Sequence, residues 1–129
     1  METELRAVRA IALGLPETYE EPAWVGIRWR IRGRTFAHLL TVEGGRPESY
    51  ARVVGTAAPC LVLTFRSSGL ELETLRRTGP PFVAAPWRGD EVGLLLDDGA
   101  DWAEVGELLT DSYCLLAPKR LAASVARPG

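Results

Sequence analysis

Residues 25 to 42 constrain the fold more than any other stretch. Val25, Ile27, Trp29 and Ile31 alternate with Gly26, Arg28, Arg30 and Arg32. A period of two predicts a strand with one apolar and one polar face. Gly33-Arg34 follows, glycine first, which fits the two-residue turn of a type II′ hairpin. That turn pairs Arg32 with Thr35, Ile31 with Phe36, Arg30 with Ala37, Trp29 with His38, Ile27 with Leu40 and Val25 with Val42. Each apolar residue of the first strand then meets a compatible partner. Moving the turn back one residue would set Ile31 against Arg34 and break the match. The same pairing places His38 on the apolar face.

The flanking sequence adds helices and further strands. Leu5, Val8, Ile11 and Leu15 recur at spacings of three and four, so residues 3 to 14 read as a helix ended by Gly14 and Pro16. Residues 18 to 22 read as an acidic loop. Short helices are expected over 48–54 and 70–77, and strands over 60–66, 82–85 and 91–96. Asp101 is an N-cap for a final helix whose inner face carries Trp102, Val105, Leu108, Leu109, Ser112 and Leu116. A last turn follows Pro118. The expected class is α+β: an antiparallel sheet of about five strands with N- and C-terminal helices packed on it. At 129 residues and 47% hydrophobic, the chain has the size and apolar content of one domain, residues 1–129.

Composition narrows the chemistry. His38 is the single histidine, Lys119 the single lysine beside fourteen arginines, and asparagine and glutamine are absent. A multi-histidine metal site is excluded, as is side-chain amide chemistry. Cys60 and Cys114 lie far apart in apolar runs, as buried free thiols of a reducing compartment do. No run reaches the roughly 20 apolar residues of a membrane span. The acidic start, Met1-Glu2-Thr3-Glu4, is unlike a signal peptide, so a cytoplasmic location is expected.

Three groups of residues invite a functional reading. Arg28, Arg30 and Arg32 share one strand face and Arg34 sits at the hairpin tip. Such a stripe can follow a phosphate backbone through bidentate guanidinium contacts, or it can be a solvated face balanced by Glu17, Glu20 and Glu21. Pairing with those glutamates would take the arginines away from phosphate. Without asparagine or glutamine, the bidentate adenine contact is impossible, so any DNA readout rests on arginine or on backbone shape. Trp24 and Trp87 have no evident internal place and suit a pocket or partner surface. Asp97, Asp98 and Asp101 lack the spacing of a calcium loop and read as turn and cap residues. His38 has no orienting acid in sequence, and no serine or cysteine has a nucleophile-elbow context.

Three ordered motifs resemble the MmcQ/YjbR family of small bacterial proteins. The first is Leu13-Gly14-Leu15-Pro16-Glu17 with Trp24 after it. The second is Trp29-Arg30-Ile31-Arg32-Gly33-Arg34-Thr35-Phe36-Ala37. The third is Asp101-Trp102 with the ending Ser112-Tyr113-Cys114-Leu115-Leu116-Ala117-Pro118-Lys119. The resemblance implies a compact α+β fold and a "double-wing" DNA-binding role in which Arg30, Arg32 and Arg34 lie on or near a wing. Its departures are Arg34 in place of a turn lysine and Pro86-Trp87 without a preceding histidine.

The expectation is therefore a non-catalytic binding protein with no cofactor and no metal. Its nucleic-acid contacts would be Arg28, Arg30, Arg32, Arg34, Lys119 and Arg120, and its partner double-stranded DNA. The alternative is a small-ligand or protein-interaction module, dimeric in one form, using Trp24 and Trp87 and no nucleic acid.

Overall fold

The computed structural model describes residues 2–55, 58–84 and 88–125. Helix α1 (Glu2–Leu13) leads into β1 (Tyr19–Pro22), β2 (Ile27–Ile31) and β3 (Arg34–Val42). Then come α2 (Glu48–Val54), β4 (Cys60–Arg66), α3 (Gly69–Thr78), β5 (Phe82–Ala84), β6 (Glu91–Leu96), α4 (Trp102–Leu116) and α5 (Lys119–Ser124). The strands form one antiparallel sheet in the order β1-β2-β3-β4-β6-β5. The α+β layering matches the sequence expectation. The sixth strand is β1, where the sequence alone reads as an acidic loop.

Each face of the sheet has its own apolar cluster. Trp29, Ile31, Phe36, Leu39, Leu63, Phe65 and Val92 pack with Val8 and Ala12 of α1, Val105 and Leu109 of α4 and Leu121 of α5. Leu40, Val42 and Val62 lie on the opposite face, under Tyr50, Ala51 and Val54 of α2. Cooperation between cap and apolar stripe fixes α4: the Asp101 carboxylate accepts from the Glu104 amide at 3.1 Å, and Val105, Leu108, Leu109, Ser112 and Leu116 are buried. Its length carries Tyr113 to the Pro16 carbonyl, to which the phenol donates at 2.8 Å.

The hairpin register differs from the one read above. The turn is Arg32-Gly33, with φ of 50° and 77°, the two positive values of a type I′ turn. Ile31 therefore does face Arg34, and Arg30 faces Thr35. A bulge between Trp29 and Arg30 then resets the phase, so Trp29 faces Ala37, Arg28 faces His38 and Ile27 faces Leu39. Phe36 is the extra residue, and both Phe36 and Ala37 are buried in the core beside Trp29. Counting apolar residues presumes an even ladder, and the bulge meets the same demand with one residue more. His38 consequently lies across from Arg28, on the face opposite Trp29.

A bulge leaves backbone groups without ladder partners, and Ser112 of α4 supplies them. Its hydroxyl donates to the Phe36 carbonyl at 2.6 Å and accepts from the Arg66 amide at 2.8 Å. Ser112 is fully buried, so water cannot take its place. Ser112→Ala strands one buried acceptor and one buried donor, at about 1–3 kcal/mol each. The expected loss of about 2–6 kcal/mol in urea unfolding would be absent if water filled the gap.

Candidate functional site

The hairpin arginines divide into two groups. Across β1 and β2, Glu21 faces Arg28 and Tyr19 faces Arg30. Glu21 accepts from both guanidiniums, at 2.6 Å from Arg28 and 3.0 Å from Arg30. Arg30 also donates to the Gly33 carbonyl. These two arginines are held along the sheet and do not form a free track. Glu20, on the other face of β1, accepts from Arg9 at 2.8 and 2.9 Å and from the Trp29 indole at 2.9 Å. The Arg9 bonds hold the Glu20 carboxyl below its ordinary range, with the indole adding to them against the opposing effect of burial.

The second group gathers where the hairpin tip meets the α4–α5 corner. Glu17 lies 2.8 Å from Arg32 and 3.9 Å from Arg120. Arg34 donates to the Leu116 carbonyl at 3.4 Å, and Lys119 is exposed beside Arg120. Chain segments more than eighty residues apart thus meet at this corner, where Arg32 and Arg120 share the Glu17 carboxylate and Arg34 reaches the end of α4. The Arg32 and Arg120 side chains are 51% and 73% exposed, and ion pairs in that setting contribute about 0–1 kcal/mol, so an incoming anion can displace them.

Trp24 is fully exposed, as its lack of an internal place implies. It stands at the rim of a cleft of about 280 Å³ on the α2 side of the sheet, lined also by Arg28, His38, Tyr50, Arg66, Arg88 and Glu91. Tyr50 meets the His38 ring edge-on at 6.4 Å. Burial, with Glu91 adding to it, pushes the Tyr50 phenol up to about 12. The His38 imidazole bonds to the Val25 carbonyl through Nε2, which ties the Trp24 loop to the sheet. Trp87 lies outside the described residues.

Arg66, Arg88 and Tyr50 were not among the residues singled out by sequence. Arg66 ends the β4 run and Arg88 follows the tryptophan loop, and only the β4–β6 pairing of Arg66 with Glu91 brings them to one place. Asp97 accepts from the Gly99 amide at 2.8 Å, a turn role, and Asp101 caps α4. Among the described residues no group of three or more histidine, cysteine or carboxylate side chains is placed to hold a metal. None of their helices is long and apolar enough to cross a membrane. Cys60 and Cys114 are free and half-buried, and burial pushes the Cys60 thiol up.

Comparison with known proteins gives a family and a fold. The model of the YjbR family matches residues 13–115. A Pseudomonas syringae crystal structure superimposes with a TM-score of 0.66 at 15% identity, over 89% of this chain and 98% of that one. A Deinococcus radiodurans protein with a DUF419 domain gives 0.62 at 17% identity, over 96% of this chain and 88% of the other. No curated protein matches the chain.

Proposed function

From the premise that the chain belongs to the YjbR family, we propose that it is a non-catalytic binding protein that grips the phosphate backbone of double-stranded DNA. The contact is the corner formed by the hairpin tip and α5. The supporting observation is charge geometry: Arg32 and Arg120 share Glu17, Arg34 reaches the Leu116 carbonyl beside α5, and Lys119 adjoins Arg120, four cations with one recorded carboxylate partner among the described residues on a chain whose net charge is −2. Arg28 and Arg30 leave the contact set, because Glu21 holds both guanidiniums along the sheet in partly buried pairs. Without asparagine or glutamine the grip is indifferent to adenine, so backbone and groove shape dominate it.

Three phosphate contacts give a log–log salt slope of about −2.7, which lowers affinity about 40-fold between 50 and 200 mM salt. In fluorescence anisotropy with a labelled duplex, Arg34→Ala with Lys119→Ala should weaken binding at least about tenfold at low salt. Arg28→Ala with Arg30→Ala should change it less than about twofold. A duplex that is not retained at about 50 mM salt, or equal losses from the two pairs, overturns the proposal.

A further inference from the structure

The cleft beside Trp24 serves no purpose in gripping DNA, and its chemistry is distinct from that of the tip. Three arginines line it with one carboxylate, Glu91. Glu91 is divided between two of them, at 3.6 Å from Arg66 and 4.0 Å from Arg88, both longer than a hydrogen bond. Arg28 pairs with Glu21, and Arg66 also reaches Asp90, both carboxylates lying outside the lining. The Nε–H groups of Arg28 and Arg66, like Asp90 Oδ1, are buried without a hydrogen-bond partner and face away from solvent, whereas the Arg88 side chain is 55% exposed and meets Glu91 only at 4.0 Å. Loosely paired guanidinium donors around a concavity favour a ligand that brings oxygen acceptors.

The rim points to the rest of the ligand. Trp24 presents its whole indole to solvent, an arrangement rare for so large an apolar ring. It lines both this cleft and a neighbouring depression of about 580 Å³ that includes Pro47 and Thr41. A flat apolar body can lie against the indole there while its charged end enters among the arginines. Among the described lining residues no serine or cysteine stands beside a base, and retention is the chemistry the arginines offer.

We propose that the Trp24 cleft binds a small organic anion with a flat apolar body, an aryl carboxylate or an aryl phosphate. Its oxyanion lies between Arg28, Arg66 and Arg88, and its ring lies on Trp24. The site is independent of the DNA contact, since it shares no residue with the tip.

The test is a two-dimensional amide NMR titration of the intact chain with benzoate, phenyl phosphate and inorganic phosphate. Saturable shifts around His38, Arg66 and Arg88 are expected from one or both aryl probes, and the tighter probe identifies the acid. Inorganic phosphate, without a ring, should bind at least about tenfold more weakly. Arg88→Ala and Trp24→Ala, both at exposed positions, should each weaken the aryl probe about tenfold while the remaining spectrum reports an intact fold. Shifts that do not saturate, or an affinity unchanged in both variants, overturn the site. Inorganic phosphate binding as tightly as phenyl phosphate overturns the role of Trp24.

Discussion

Trp29→Ala should come close to unfolding the protein. Trp29 is fully buried, on the core face of β2 against α1 and α4. Truncating a buried tryptophan costs about 3–5 kcal/mol, from lost transfer energy and the cavity left behind. Its indole also donates to Glu20, which Arg9 grips from α1, so the ring joins the edge strand, the hairpin and the first helix. Total stabilities of such domains are about 5–15 kcal/mol. Trp29→Phe separates the two contributions: it keeps most of the volume and loses the bond to a charged acceptor, worth about 1.5–3 kcal/mol. Acid acts on the same joint. The folded Glu20 carboxyl is held below 4.5, so its contribution is complete above that pH and is lost as pH falls through the lowered folded value. Denaturant midpoints of the wild type and Trp29→Phe should therefore converge in acid. A constant gap between them would show that the indole bond does not depend on the ionised carboxylate.

The elements with internal periodicity were legible in the sequence, and those defined by their neighbours were not. Helix α4 carries its own stripe and cap, so its extent and inner face follow from residues 101 to 116. Strand β1 is Tyr-Glu-Glu-Pro, without an apolar alternation. It is a strand because Glu21 meets Arg28 and Arg30 of β2, and Glu20 meets Trp29 on the other face. Those cross-strand charge pairs are tertiary facts. The bulge at Phe36 has no local marker either, since an even ladder and a bulged one bury nearly the same apolar set. For His38, however, the choice of register decides between the core and the arginine face. The tip cluster was half legible: Lys119 and Arg120 invite grouping with the hairpin by charge alone, but the carboxylate that Arg120 shares with Arg32, Glu17, is visible only once α5 is placed beside the turn.

Gly26→Ala should be the most damaging substitution that adds a single methyl group. Gly26 has a φ of +81°, where an L side chain is strained by about 1–2 kcal/mol. A Cβ there would also stand 2.1 Å from the Leu39 carbonyl oxygen and 3.0 Å from the Leu40 Cα. Neither atom can yield, because Leu39 and Leu40 are held in mid-sheet against Leu63 and Val62 of β4. Relief requires the Ala23–Gly26 loop to lift from β3, and the expected loss is about 3 kcal/mol or more. Gly44→Ala is the control. Its φ is +60° and no atom lies within 4 Å of the added carbon, so it carries the backbone strain without the collision. The difference between the two variants in urea unfolding measures the close approach alone, and equal losses would refute it. The same loop carries Trp24, and its Val25 carbonyl is bonded to His38. Lifting it would move one wall of the cleft away from Arg66 and Arg88. Gly26→Ala, under conditions where it remains folded, should then lose the aryl anion while keeping the DNA contact, because the tip corner is built from β2, β3 and α5 and does not include this loop.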